Sequence, residues 1–328
     1  MNAALTKATL TARRLARVRS LAPVPPAAGS GPGPEAAPTR GERIPLRQTP
    51  LRAWLAVPVL GGAHVWSDVF VIGEWRVQHH ALTGQHRLLD PGRGRVLTGS
   101  RADCLAAVPH GLRVPAHVVI LLHGLGCGHD AMEPLETALR RHGRYAVNLG
   151  YASLFRGMEE NTQALGEVLD ALADHGARAV SFVAYSLGGL ILRCSLRPDA
   201  AWRRRLDCRR AVLLGTPNQG SQLAARLVAT SLLGVAGPGG LATLPRHARV
   251  LPVPDFPFAV VMAGRGDRRG INPWLDGDND GVVRTAEAWL DGAEDGLFVL
   301  SDHWTLQRRP PVADAVLRYL DGGRLGTG

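Results

Sequence analysis

The chain has 328 residues, 45% of them hydrophobic and 20% charged, enough for one large α/β domain or two small ones. No 18-residue stretch is cleanly apolar, which argues against a spanning helix; the best candidate, Ala53 to Trp66, holds Pro58, two glycines and His64 and runs into Asp68. The formal net charge is +10, yet residues 1–40 alone hold Lys7, Arg13, Arg14, Arg17, Arg19 and Arg40 against Glu35, and the remainder shows no nucleic-acid motif.

Residues 4–19 have the spacing of a basic amphipathic helix, and their arginines without acids also resemble a transit peptide. Leu21 to Pro50 is rich in Pro, Gly and Ala and reads as a linker, so residues 1–50 are expected to form a basic, disordered tail and linker. Such a tail suits peripheral contact with an anionic membrane. A cytoplasmic location is expected, with a peripheral membrane one as the alternative. The four cysteines, Cys104, Cys127, Cys194 and Cys208, have no paired metal spacing and read as reduced thiols.

Residues 51–115 read as an N-terminal extension with short strands. Strand-like runs at 75–79, 85–89 and 95–97 are separated by the turns Leu82-Thr83-Gly84 and Asp90-Pro91-Gly92, the pattern of a β-meander. His79 and His80 are neighbours in a strand and point to opposite faces, which makes them a poor metal pair and predicts surface histidines.

From Ala116 the pattern becomes strand–helix alternation. Apolar runs at 118–122, 145–149, 180–183, 211–214, 258–262 and 298–300 alternate with helical spacing at 131–142, 158–173, 187–196 and 312–320. This predicts an α/β fold over 116–321, a mostly parallel sheet with helices on both faces. The stretch between Ser221 and Phe258 holds Leu223, Leu227, Leu232, Leu233, Val235 and Leu241; residues 222–257 read as a small cap or lid, or as a core helix with a loose loop.

Active sites in such sheets lie beyond the carboxyl ends of the strands, so the residues just after each strand are the informative ones. His123-Gly124-Leu125 comes after the first apolar run, Ser186 after the third and Gly215-Thr216-Pro217 after the fourth. An acidic loop with Asp280 comes after the fifth, and Ser301-Asp302-His303 after the last. Ser186 sits in Ala184-Tyr185-Ser186-Leu187-Gly188-Gly189, between a strand and a helix, with small residues two before and two after it. That layout holds a serine hydroxyl out on a sharp turn. Serine, acid and histidine then occur in the order of a nucleophile, an orienting acid and a base. His303 is the histidine that stands after a late strand; His247 precedes one. For the acid, Asp267, Asp278 and Asp280 compete.

In these motifs the chain resembles an α/β-hydrolase of the bacterial lipase/esterase type, including the deacylase-like lipases. LLHGLG (121–126), AYSLGG (184–189), GTPNQGS (215–221), NDGVV (279–283) and SDHWTL (301–306) match in order. Asn218 departs from the resemblance, where the family often has His. The resemblance implies Ser186 as nucleophile, His303 as base and Asp280 as the acid, with the Leu125 and Leu187 N–H groups as oxyanion donors. It implies hydrolysis of carboxylic esters of apolar acyl groups, from a small-molecule or lipid substrate, without a cofactor. A thioesterase, amidase or acyltransferase with the same triad is an alternative, and so is a non-catalytic binding protein on this scaffold. Asp276, Asp278, Asp280 and Glu287 also fit the calcium-loop pattern D-x-D-x-D-G-x5-E, which sets a calcium reading against the triad reading. No nucleic-acid partner is expected, and no oligomeric state is encoded in any motif.

Overall fold

The computed structural model describes residues 18–20, 63–229 and 237–326. The strands, in chain order, are β1 (Val18–Ser20), β2 (Trp66–Ile72), β3 (Trp75–His80), β4 (His86–Leu89), β5 (Arg95–Gly99), β6 (His117–Leu122), β7 (Ala146–Leu149), β8 (Ala179–Tyr185), β9 (Asp207–Leu214), β10 (Phe258–Gly264) and β11 (Asp295–Leu300). Helix α1 (Arg101–Ala106) closes the amino-terminal extension, and α2 (Glu133–Arg141), α3 (Met158–Asp174) and α4 (Leu187–Ser195) alternate with the strands that come next. Seven strands form one parallel sheet in the order β1-β11-β10-β9-β8-β6-β7. The other four form an antiparallel meander, β2-β3-β4-β5. The doubly covered α/β architecture is therefore as expected, and so is the meander.

Alternation along each central strand sends side chains to two separate cores. Val118, Ile120 and Leu122 of β6, with Val180, Phe182 and Ala184 of β8, face one core. It is covered by α3 through Leu165, Val168, Leu169 and Leu172, and by α4 through Leu187, Leu190 and Ile191. Val119 and Leu121 of β6, with Val183 and Tyr185 of β8, face the other. That side is closed by α2 and by the C-terminal helix Pro310–Gly322. A strand buried on both faces must be apolar throughout, which is why β6 and β8 read as continuous runs.

The winding reverses at β6. The chain leaves β6 for the outer strand β7, then returns to place β8 on the other side of β6. Helices leaving the two strands go to opposite faces there, and a crevice opens at their carboxyl ends. Ser186 follows β8 and His123 follows β6, so both stand at this switch point.

The meander joins the sheet at its β7 end. Asp68 N–H donates to Gly150 O at 2.8 Å, and Ala152 N–H donates to Ser67 Oγ at 3.0 Å. Val77 and Leu88, both fully buried, carry the meander's inner face into the same core as α3.

Some expectations change. β2 lies outside the expected meander because the buried Ser67 and Asp68 interrupt its apolar signal. His79 and His80 are half-buried rather than surface residues: His79 contacts Arg156 and lies 4.7 Å from the His86 ring, and His80 Nδ1 accepts the Leu82 and Thr83 N–H groups. Of the helix expected at 4–19, Val18 and Arg19 belong instead to β1, parallel to β11, and the rest lies outside the described residues. The tail and linker reading of 1–50 otherwise lies outside them too, as do residues 230–236 of the stretch expected to form a cap or a core helix with a loose loop. The four cysteines are free thiols.

Candidate active site

Ser186 is one of three non-glycine residues with positive φ among the described residues, at φ 53° and ψ −121°. A side chain on that backbone conformation is strained, and the surrounding packing has to impose it. The turn is closed by Ser186 N–H donating to Leu214 O at 2.8 Å on β9. Close approach of strand and helix does the rest. A Cβ on Gly188 would lie 2.5 Å from Leu122 O and 2.7 Å from His123 O. A Cβ on Gly124 would lie 2.8 Å from Tyr185 Cε1 and 3.2 Å from Ser186 Cβ. The small residues around the serine therefore have the steric reason anticipated from the motif.

The structure brings Ser186, His303 and Asp280 into one hydrogen-bonded line. Ser186 Oγ is 2.9 Å from His303 Nε2, and His303 Nδ1 is 2.6 Å from Asp280 Oδ2. A carboxylate only accepts, so Nδ1 carries the proton and Nε2 is free to accept from the serine hydroxyl. The histidine is clamped through its backbone as well. His303 N–H donates to Asp280 O at 2.9 Å, and the Tyr185 hydroxyl donates to His303 O at 2.8 Å. All three side chains are buried, with Ser186 the most accessible at 8%.

Asp280 is set by its own turn. Its Oδ1 accepts the Val282 N–H at 3.0 Å and the Val283 N–H at 2.7 Å, leaving Oδ2 for the imidazole. Its rivals are occupied elsewhere. Asp267 Oδ1 accepts the Arg269 and Gly270 N–H groups, and Asp278 accepts from Arg265, Gly266 and Asn279 N–H.

The same geometry disperses the calcium pattern. Asp276 Oδ2 takes Gln222 Nε2 and the Arg226 guanidinium, while Glu287 accepts the Gln222 and Arg284 N–H groups. Burial raises the Glu287 carboxyl above its ordinary pKa despite those donors. Each carboxylate of the loop is thus turned to a different N–H, and the run of Asp and Asn residues folds the loop by local side-chain–backbone bonds. Among the described residues no three His, Cys, Asp or Glu side chains gather as a metal cluster.

Leu187 is the first residue of the nine-residue helix α4, and its N–H lies at the positive end of that helix. Leu125 sits in the loop after β6. Neither N–H meets a backbone acceptor outside its own element among the described residues. The Leu125 loop is braced from behind: Gly126 N–H donates to Ser153 Oγ at 3.0 Å. His123 is fully buried, stacked on Tyr151 with ring centroids 3.9 Å apart, and burial lowers its pKa to about 4. It is a neutral structural member of the loop.

Within 222–257, where a cap or lid was one expectation, residues 222–229, 237–241 and 245–248 are helical. A Cβ on Gly239 would clash with Ser153 O and lie 3.0 Å from Leu125 Cδ1, so this segment rests directly on the loop that carries Leu125.

Sequence reasoning missed Arg193. It is 1% exposed, in the helix that starts at Leu187, and its guanidinium donates to Leu251 O at 2.7 Å, Pro252 O at 2.9 Å and Asn218 O at 2.9 Å. Burial lowers its pKa to about 10, still well above neutrality. One arginine in an otherwise apolar helix, LGGLILRCS, was the available signal. Asn218 fills its loop with its own bonds, donating from Nδ2 to Ala288 O at 2.7 Å.

Known proteins match this picture in two ways. Residues 113–203 match the family described as "Putative serine esterase (DUF676)", a span that includes Leu125, Ser186 and Leu187 and ends before Asp280 and His303. No curated protein matches the chain in sequence. Among solved structures, the lipase BlEst2 of Bacillus licheniformis in mature form is 18% identical, with a TM-score of 0.52 over 65% of this chain and 95% of that one. The same lipase with its propeptide is 19% identical, with a TM-score of 0.53 over 65% of this chain and 52% of that one. At these identities the likeness is one of fold, and the fold of this chain is that of the α/β-hydrolases.

Proposed function

We propose that the protein is a serine hydrolase that cleaves carboxylic esters of apolar acyl groups through an acyl-enzyme. The observation that carries this reading is the unbroken line Ser186 Oγ–His303 Nε2, His303 Nδ1–Asp280 Oδ2, at 2.9 and 2.6 Å. Ser186 Oγ attacks the ester carbonyl while His303 Nε2 takes its proton. The tetrahedral oxyanion is held by the Leu125 and Leu187 N–H groups. His303 then returns the proton to the departing alcohol. Water repeats the sequence in reverse sense: His303 deprotonates it, the hydroxide attacks the acyl carbon, and Ser186 leaves with the proton. Asp280 keeps Nδ1 protonated and stabilises the imidazolium in both halves.

The apolar acyl preference is supported by two observations. Trp304 is half-exposed directly after His303, with its ring 6.2 Å from the imidazole, and Leu125 packs under the cap region. The family match over 113–203 supports esterase chemistry at Ser186.

The test is covalent labelling by a fluorophosphonate probe together with turnover of nitrophenyl esters of increasing chain length. Wild-type protein is expected to label and to turn over the esters. Ser186→Ala is expected to do neither while keeping its circular-dichroism spectrum and melting temperature. Near-wild-type turnover in a folded Ser186→Ala protein would refute the mechanism.

A further inference from the structure

A cavity of about 360 Å³ lies on the outer face of the meander and is lined by Arg76, Gln78, Arg87, Leu89, Arg93, Arg95 and His129. Strand register explains why so many arginines meet there. Gln78 pairs with Arg87, Arg76 with Leu89, and Leu89 with Arg95, so alternate residues of β3, β4 and β5 share one face. The other face sends Val77 and Leu88 into the core. Arg93 extends the set from the turn between β4 and β5, at φ 64°, a strained conformation for a side-chain-bearing residue.

The floor of this cavity is built. Arg76 is 6% exposed, and its Nη1 donates to Asp68 Oδ2 at 2.5 Å and to Asn148 O at 3.1 Å. Gln78 Nε2 donates to Asp68 Oδ1 at 2.8 Å, and Gln78 Oε1 accepts Arg87 Nε at 2.9 Å and Nη2 at 2.7 Å. The Arg87 guanidinium also lies 4.0 Å from the Trp66 ring centroid, which fixes its plane. Burial would raise the Asp68 carboxyl, but Arg76, His129 and the Gly150 N–H outweigh it and hold Asp68 well below the usual carboxylate range. Asp68 therefore offsets Arg76 at contact distance, with His129 3.4 Å away, and its charge also reaches Arg87. Arg87 is pulled below its ordinary pKa by burial first; the Asp68 charge works against this, and the Arg95 charge adds a smaller lowering.

No carboxylate lines the cavity. The nearby Asp90 turns its Oδ1 onto the Gly94 N–H. Arg93 and Arg95 have no carboxylate partner among the described residues. Like charges side by side on one sheet face oppose folding. A fold that lines one cavity with four guanidiniums, of which only Arg76 is in an ion pair among the described residues and Arg93 and Arg95 are exposed, suits an anion with several acceptor oxygens.

We infer that this cavity is a binding site for a phosphate monoester group, distinct from the Ser186 site, with Arg87, Arg93 and Arg95 as its charged contacts over the Arg76–Asp68 floor. A phosphate monoester offers three acceptor oxygens and close to two negative charges, which suits several guanidinium forks converging from different strands. A carboxylate would satisfy only one fork. The group arrives either on a small soluble molecule or on a lipid headgroup.

The test uses the full chain. Inorganic phosphate is titrated against chloride at constant ionic strength, with melting temperature and titration calorimetry as readouts. In parallel, the protein is sedimented with phosphatidylcholine vesicles that carry phosphatidic acid or a charge-matched amount of phosphatidylglycerol. Saturable phosphate binding that weakens at least tenfold in Arg93→Ala/Arg95→Ala supports a soluble phosphorylated ligand. A preference for phosphatidic acid over phosphatidylglycerol, lost in the same double variant, supports the lipid source. Ester turnover by the double variant is expected to match wild type, since neither residue belongs to the Ser186 site. If phosphate gives no saturable response and phosphatidic acid no preference, or if either survives the double substitution unchanged, the assignment is wrong.

Discussion

Asp280 shows how a carboxylate is divided between two tasks. One oxygen is taken up by the N–H groups of Val282 and Val283, which fixes the side chain, and the other faces His303 Nδ1. In Asp280→Asn the turn is expected to survive, because an amide oxygen can still accept from the two N–H groups. The remaining amide nitrogen would then face Nδ1, and the imidazole would be driven to the wrong tautomer. Turnover is expected to fall by roughly 10³–10⁴ with little change in melting temperature. Asp276→Asn, whose carboxylate is exposed and faces Gln222 and Arg226, is expected to keep near-wild-type turnover. If steady-state kinetics showed the reverse order, the acid would have to be reassigned.

Helix α4 keeps a residue that a free helix would reject. A glycine in a helix costs about 1 kcal/mol of propensity relative to alanine, so Gly188→Ala would stabilise an isolated helix. Here the added Cβ meets two backbone oxygens at 2.5 and 2.7 Å, and backbone does not move aside cheaply. Overpacking of this kind costs roughly 1–3 kcal/mol, so the clash wins and denaturant melts should show net destabilisation. Turnover should drop too, because the displaced backbone of Leu122 and His123 leads into Leu125. Much of the sheet was legible in the sequence. The runs in β6 and β8 are apolar because both faces are covered, and the small residues at 184 and 188 mark a tight crossing. What could not be read were buried charges. Asp68 and Arg193 look like solvated residues in a linear chain, and only folding brings the Arg76 guanidinium or the Leu251 and Pro252 carbonyls to them. Residue type alone left Asp267, Asp278 and Asp280 in competition; the likeness of NDGVV to an acid loop pointed to Asp280, and in the fold it is the Asp280 carboxylate that faces His303.

For the fold taken together, pH and the amino-terminal segment are the useful levers. His123 titrates near 6.5 in an unfolded chain and at about 4 in the folded one, chiefly because it is buried. Between those values the unfolded state binds a proton that the native state refuses, so stability should fall as pH drops from 6.5 toward 4, by on the order of 1–3 kcal/mol. Asp68, depressed when folded, adds a further loss only as pH falls below the unfolded carboxylate range. Denaturant melts at stepped pH values check this, and His123→Gln should reduce the slope between 6.5 and 4, with His79, which burial also lowers to about 4, contributing to the remainder. Deleting residues 1–40 removes β1 and leaves β11 as the sheet edge, so a lower melting temperature is expected with turnover of soluble esters retained. Among the described residues no helix is long and apolar enough to cross a membrane. Any vesicle binding lost with this deletion would belong to the tail, separate from the meander cavity.

The separation of 117 positions from Ser186 to His303 also sets a clock. At about 5–20 residues per second, a ribosome takes roughly 6–23 s to extend the chain from one to the other. Throughout that interval the nascent chain holds a serine with no base to activate it, while β10 and β11 are still being synthesised. Hydrolytic competence therefore arrives only after β11 and the turn behind it dock, so nascent chains halted before that point remain chemically inert toward the acyl groups around them.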